Sequence, residues 1–282
     1  MRRHFGIGVV TAAALALALI FTPLGGYASG FLTIFQPKQF TTVDISQTDL
    51  THFKLLPRAD RFGTSREVVR PRHIRLASLA AAKSHVDFAV LRPQNVPGSL
   101  SRPRSYDVQT PGEFTFTFSA KKARAYAARQ HRRLPAMPAN LDGTTVRVAL
   151  GSVVVATYGT HARGTRRIEP FLTFVQARAP RVTSTGATLP ALESYVLAMP
   201  GIAPQLASQI RALGDLSQTL PIPIRPDKQT AQRITVGGAP GLAIGDNTGL
   251  GAGVVWEKNG IVYGVAGTLS EDDVLAFANG LR

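Results

Sequence analysis

From residue 114 to residue 118 the chain alternates strictly, with Phe114, Phe116 and Phe118 on one side and Thr115 and Thr117 on the other. Period two on β-favouring residues predicts a strand whose phenylalanine face covers a core. Residues 144–150 and 153–158 predict two further strands, read as a hairpin around Gly151, and residues 171–177 predict another. Toward the C-terminus, strands are predicted at 234–236, 241–245, 254–258 and 261–266. Asn259-Gly260 between the last two is a type I′ hairpin signal, because both central residues of that turn need positive φ. Closing the hairpin there sets Glu257 opposite Gly260 or Ile261 and Trp256 near Val262. Residues 220–224 carry Pro221 and Pro223, which lack ladder donors, so an edge or extended segment is expected.

The helical period appears in shorter runs. Residues 76–88 are Ala-rich, with Leu76, Leu79 and Ala80 at helical spacing and Pro93 and Pro97 beyond, so a helix ending before Val90 is expected. Ser119 is a good N-cap for a helix that gathers Ala123, Tyr126, Ala127 and Gln130 on one face. Residues 189–199 and 202–213 predict two helices split by Pro200-Gly201. Ser270, followed by Glu271, Asp272 and Asp273, caps a last helix whose stripe is Val274, Leu275, Phe277, Ala278 and Leu281. Short helices among mostly hairpin-connected strands predict an α+β fold with mostly antiparallel sheet and a C-terminal helix.

Ahead of all this, Phe5 to Phe21 carry no charge and no strong hydrogen-bonding side chain except Thr11. Continued to Leu24, the run is about 30 Å long as a helix, the thickness of a hydrocarbon core. Arg2 and Arg3 outnumber Lys38 on the far flank, which keeps the N-terminus cytoplasmic and exports the rest. A signal peptide cleaved after Gly26-Tyr27-Ala28 is the competing expectation. The expected organisation is an anchor or signal peptide over 1–30, a juxtamembrane Arg-rich linker over 31–75, and an extracytoplasmic α+β domain over 76–282. Within 31–75, Phe31, Leu32, Ile34 and Phe35 are expected to lie on the headgroups or dock on the domain, and a short helix is expected near 48–55.

Charge divides that domain. The 282 residues carry a formal net charge of +15, yet residues 1–181 hold +17 and residues 182–282 hold −2. Two lobes, a basic one over 76–181 and a near-neutral one over 182–282, follow as an expectation. The cations are dense in three places: Arg58, Arg61, Arg66, Arg70, Arg72 and Arg75; the helix with Lys121, Lys122, Arg124, Arg129, Arg132 and Arg133; and a turn with Arg163, Arg166 and Arg167. The helical group is the candidate anion-binding surface. Anionic lipid or a cell-wall polymer is the polyanion expected for an exported chain. The patches lack the interleaved aromatics of a single-strand platform, so nucleic acid is not expected.

Catalytic and metal patterns are sparse. There is no cysteine, which removes disulfides, thiolate zinc sites and cysteine nucleophiles. His4, His52, His73, His85, His131 and His161 are scattered without carboxylates at ligand spacing, and no G-x-S-x-G or H-E-x-x-H occurs. Ser119 to Lys122 spells S-x-x-K, but the serine suits an N-cap and no K-T-G follows. The glycine-rich run 245–253 lacks the Lys-Ser/Thr ending and precedes a strand, so a hairpin loop is expected, and Asp246 with Asn247 supplies too few oxygens for calcium. No enzyme, metal or cofactor is expected. The aromatic residues Trp256, Tyr263, Phe114, Phe116 and Phe118 are the candidate ligand or partner surface, with core packing as the competing assignment.

Residues 255–263 (Val-Trp-Glu-Lys-Asn-Gly-Ile-Val-Tyr), Gly267-Thr268-Leu269-Ser270 and Ala278-Asn279-Gly280-Leu281 resemble a bacterial domain of unknown function, number 4367 of that series. It ends membrane-anchored proteins, among them anti-sigma-factor-like and sporulation-linked ones. Leu91, Pro93, Val96, Pro97 and Gly98 resemble a signature that precedes such domains, and the anchor running into Phe31–Phe35 is similar. The resemblance is concentrated in residues 235–282 and transfers no catalytic residues. It implies a regulatory membrane protein; with four residues ahead of Phe5, a sigma-binding domain of its own is not expected. Two functions are carried forward: a non-enzymatic single-pass envelope protein that senses, scaffolds or binds a protein partner, and an exported half-barrel that binds apolar or anionic envelope ligands.

Overall fold

The computed structural model describes residues 39–49, 59–103, 105–131, 133–159, 170–200, 202–214, 218–249 and 251–282. The apolar run 5–24, the segment 31–38, most of the helix expected at 48–55, Arg58, Arg132 and the Arg163–Arg166–Arg167 turn lie outside the described residues. Among the described residues, no helix is long and apolar enough to cross a membrane.

The fold is α+β and rich in sheet. Its strands are β1 (Gln39–Asp44), β2 (Gly63–Val69), β3 (His73–Leu76), β4 (Tyr106–Gln109), β5 (Gly112–Phe118), β6 (Thr145–Leu150), β7 (Val153–Gly159), β8 (Phe171–Arg178), β9 (Arg181–Thr185), β10 (Thr219–Ile224), β11 (Gln229–Val236), β12 (Ala239–Asp246), β13 (Ala252–Lys258) and β14 (Ile261–Gly267). The helices are α1 (Leu79–Lys83), α2 (Ala120–Arg129), α3 (Leu189–Leu197), α4 (Pro204–Ala212) and α5 (Glu271–Asn279). A large antiparallel sheet runs β11-β12-β13-β14-β8-β7-β4-β3, and a smaller one runs β2-β5-β6-β9. β1 and β10 form a parallel pair in which Pro221 and Pro223 meet Thr41 and Val43. The prolines are tolerated because, among the described residues, β10 pairs with a strand on one side only.

Of the residues 31–75 expected as linker, 39–44, 63–69 and 73–75 lie in β1, β2 and β3 and so belong to the folded body. The basic and near-neutral lobes are not separate either, since β14 pairs with β8 along its whole length and joins both halves in one sheet. The helix expected at 76–88 is only α1. Leu76 closes β3 opposite Tyr106, Ser78 Oγ accepts from Ala81 N–H, and Ser84 Oγ donates to the Ala81 carbonyl at 2.8 Å, ending the helix after one turn.

The hairpin expected around Gly151 is a corner between sheets. β6 belongs to the small sheet and β7 to the large one. Gly151 is absent from the positive-φ residues, whereas Asn259 and Gly260 have φ of 57° and 77°, as a type I′ turn requires. A Cβ on Gly151 would sit 2.5 Å from Arg178 Cβ, so the glycine lets the chain pass close to β8. The β2–β3, β4–β5 and β8–β9 links also switch sheets, through Pro71, Pro111 and Pro180. Such bends are how two packed sheets share strands.

The large sheet is buried on both faces at its central strands β12 to β14, while its edge strands β11 and β3 are largely exposed. One face carries Ala243, Val254, Trp256, Tyr263, Val265 and Phe174 under α5, with Phe277 set edge-on to Phe174 at 6.2 Å. The other carries Leu242, Ile244, Val255 and Val262 against Phe118, Val146 and Val182 of the small sheet, Ile222 of β10 and Leu192 of α3. This explains the near-continuous apolar runs of β12 to β14, where strict alternation would mark a half-solvated strand.

The α5 cap is the one expected. Ser270 Oγ accepts from Asp273 N–H at 3.2 Å and donates to Asp273 Oδ2 at 2.7 Å. Ser270→Ala is expected to lower stability by about 1 kcal/mol, read from the denaturant midpoint at unchanged m-value. A loss below a few tenths would show that the carboxylates of the first turn carry the cap alone.

Candidate functional site

The aromatic surface expected from the sequence divides into interior and margin. Trp256 and Tyr263 are 3% and 7% exposed and therefore present no surface. The two-residue turn pairs Lys258 with Ile261, so Glu257 faces Val262 and Trp256 faces Tyr263, one residue beyond the expected register. Their rings stack at 5.2 Å and 13°. Phe118 is buried in the inter-sheet core, Phe116 packs against it half-buried, and Phe114, also half-buried, lies farther along β5. The phenylalanine face thus points inward, and Trp256 and Tyr263 sit on a different sheet from it.

The space beneath Tyr106, Tyr158, Phe174 and Gln176 is closed to about 10 Å³, the lower limit for a single water. Gln176, 2% exposed, accepts from Leu91 N–H at 2.8 Å and donates to the Leu91 carbonyl at 3.2 Å, fixing the segment that seals this face. A small-molecule ligand has no room there.

Burial pushes the phenols of Tyr106, Tyr158, Tyr195 and Tyr263 up from their ordinary value. Folding therefore favours the neutral phenols. Their contribution is fully present below the unfolded value of about 10 and is lost as pH rises above it. Unfolding midpoints are expected to fall above about pH 10, and Tyr195→Phe is expected to flatten that fall. The Tyr195 hydroxyl is buried with no hydrogen-bond partner, so the phenylalanine should cost little at neutral pH. Midpoints independent of pH from 9 to 11 would contradict this account.

The basic helix is on the surface. Lys121, Lys122, Arg124 and Arg129 are exposed on α2, and Arg133 is exposed just beyond it. Ala120, Ala123 and Ala127 face the core, and Ser119 Oγ accepts from Lys122 N–H. The first turn of α2 has no acid and two lysines, the wrong sign for its dipole. Lys122 is committed to the fold, its Nζ donating to the Gly63 carbonyl at 2.7 Å and to Thr64 Oγ1 at 3.1 Å. Lys121, Arg124, Arg129 and Arg133 have no carboxylate partner among the described residues. Arg124, Ala127, Leu134, Pro135 and Met137 line an open hollow of about 440 Å³, one cation beside four apolar residues. Elsewhere the cations are neutralised in part: Arg70 pairs with Glu67, Arg75 with Asp107 at 2.8 Å and Arg178 with Asp87 at 2.6 Å.

A second polar surface was not singled out from the sequence. In the small sheet Thr64, Thr117, Thr145 and Thr185 stand in register across four strands, and Arg66, Thr115, Arg147 and Thr183 form the next row. The threonines alternating with Phe114, Phe116 and Phe118 were the available signal, but the rows exist only once β2, β5, β6 and β9 are known to be neighbours.

Among the described residues, no group of three or more histidine, aspartate and glutamate side chains is placed to hold a metal ion. Comparison with protein-family models, with curated proteins and with solved structures finds no match for this chain.

Proposed function

We propose that this chain is a non-enzymatic, extracytoplasmic binding module of a bacterial envelope protein, held at the membrane by residues 5–24 and docked on the anionic leaflet surface through α2. The observation that carries it is the exposed set Lys121, Arg124, Arg129 and Arg133, none of which has a carboxylate partner among the described residues, with Lys121 in the first turn, where the helix dipole disfavours a cation. The N-terminus of α2 is served instead by Asp142, whose Oδ1 accepts from Ala120 N–H at 2.8 Å, and none of the four cations pairs with that carboxylate among the described residues. The residues between Leu24 and β1 span at most roughly 50 Å, which keeps α2 within reach of the surface. Each cation near such a surface contributes about 1 kcal/mol. The hollow beside Arg124 would receive the apolar part of an anionic amphiphile.

The test is hydrogen exchange across residues 120–129 of the full chain in zwitterionic and in anionic vesicles. Protection on the anionic vesicles alone, lost on adding salt and lost in a Lys121→Gln, Arg124→Gln, Arg129→Gln, Arg133→Gln variant, is expected. Equal exchange on both vesicles would defeat the proposal.

A second reading, capture of a protein partner in anti-sigma-type regulation, is favoured by one feature. Val68 and Val69, at the bulge of edge strand β2, are 49% and 48% exposed. Bulged edges with exposed apolar side chains suit an added segment more than they suit solvent.

A further inference from the structure

The open face of the small sheet carries an ordered polar array. Thr64, Thr117 and Thr185 are exposed and Thr145 half-buried, and in the neighbouring row Arg66, Arg147 and Thr183 are exposed with Thr115 half-buried. Arg181 is exposed on the same face, two residues from Thr183 on β9. Strand spacing sets the four threonines about 4.8 Å apart, a line of about 14 Å, and two residues of rise set the arginine row about 7 Å away. The threonine line is already linked: Thr117 Oγ1 and Thr145 Oγ1 are 2.9 Å apart, and Lys122 Nζ reaches Thr64 Oγ1 at 3.1 Å.

We infer that this face docks an extended polyol phosphodiester chain, that is, a polymer alternating phosphate diesters with hydroxylated carbons. Charge selects a polyanion. Arg66, Arg147 and Arg181 are opposed on the face by Glu113, which pairs with Arg147 at 3.1 Å, while Arg66 and Arg181 have no carboxylate partner among the described residues. Guanidinium forks bind phosphate oxygens two at a time. Threonine hydroxyls both donate and accept, which suits alternating hydroxyl groups and phosphoester oxygens. The two rows contain no aromatic residue, so nothing there stacks on a base, and this disfavours single-stranded nucleic acid. Threonine alone would follow from β-propensity. The second row is different, since β-propensity does not call for its two arginines, and Arg66, two strands from the Glu113-paired Arg147, keeps an uncompensated guanidinium among the described residues. The assignment is independent of the α2 proposal, because it uses another element and another ligand.

The probe is a defined glycerol phosphate oligomer, titrated by calorimetry into the full chain held in zwitterionic nanodiscs. Arg66→Gln, Arg147→Gln and Arg181→Gln together are expected to weaken binding by about tenfold or more. They are also expected to flatten its salt dependence by about two units of log–log slope, roughly 0.7 for each phosphate that no longer meets a cation. Thr117→Val with Thr145→Val keeps the charge and the β-propensity; it is expected to weaken the oligomer while leaving inorganic polyphosphate binding unchanged. This pair decides the matter if the triple variant fails to fold. The quadruple α2 variant is expected to bind the oligomer as the parent does. No binding of the oligomer, equal binding of oligo(dT), or loss on changing α2 but not β2, β6 and β9 would each overturn the assignment.

Discussion

Trp256→Ala is expected to lower the free energy of unfolding by about 3–5 kcal/mol, the range for deleting a large buried aromatic side chain. The indole is 3% exposed on β13 and stacks on Tyr263 of β14 at 5.2 Å, so its removal takes away both transferred area and a ring contact. The aromatic pair alone is worth about 0.5–1.5 kcal/mol beyond area. Little can collapse into the space. On the opposite side the facing residue is Gly241, where a Cβ would lie 3.0 Å from Trp256 Cβ and 2.7 Å from the Val255 carbonyl. Glycine there lets β12 lie close against the Val255–Trp256 backbone and offers no side chain to fill the hole when the ring is gone. Trp256→Phe keeps a stacked ring and should recover much of the loss. Because Trp256 is the only tryptophan in the chain, the comparison has to be made by far-UV circular dichroism, with the indole emission following the parent alone. A loss below 1 kcal/mol would mean that the hairpin is not part of the cooperative core.

That same hairpin shows what was legible in the sequence. Asn259-Gly260 marked its turn, Ser270 and Ser119 marked two helix starts, and Pro221 with Pro223 marked an edge strand, because each is a local steric or hydrogen-bonding requirement carried by one or two residues. The register was missed by one position, since the turn fixes which pair closes it, Lys258 with Ile261, and every pair above follows from that. The corner at Gly151 was not legible. A glycine between two alternating runs looks the same whether it reverses a hairpin or passes a strand from one sheet to another; the difference lies in the sign of φ and in Arg178 lying 27 positions away. The candidate sites divide on the same line. The cations of α2 are close together in sequence and could be named in advance, whereas Arg66, Arg147 and Arg181 come from three strands and become neighbours only through long-range pairing. Burial of Trp256 depended on α5 covering that face, which no residue near the tryptophan encodes.

Gly267→Ala is expected to cost about 3 kcal/mol or more, at or above the upper end for overpacking, although it adds one methyl group. An added Cβ would lie 2.1 Å from the Phe171 carbonyl oxygen and 2.9 Å from Leu172 Cα. Both are main-chain atoms of the adjacent strand, so no rotamer change relieves the clash and the strands themselves must separate. Separation acts on a critical seam, for β14 and β8 are the pair that joins the N-terminal and C-terminal strands into one large sheet. At this end the seam is closed by Thr268 N–H donating to the Phe171 carbonyl at 3.0 Å and by Phe171 N–H donating to Thr268 Oγ1 at 3.1 Å. Moving the Phe171 carbonyl away from a new methyl breaks the first of these and strains the second. Gly98→Ala is the matched control, since nothing lies within 4 Å of a Cβ there; a change within about 0.5 kcal/mol is expected. Thermal melts of the two variants side by side separate loss of glycine flexibility, which both share, from collision with β8, which only one suffers. If Gly267→Ala melted within a degree of Gly98→Ala, the two halves of the sheet would not be held by close backbone approach at this seam, and Trp256 and the inter-sheet core would have to carry their union.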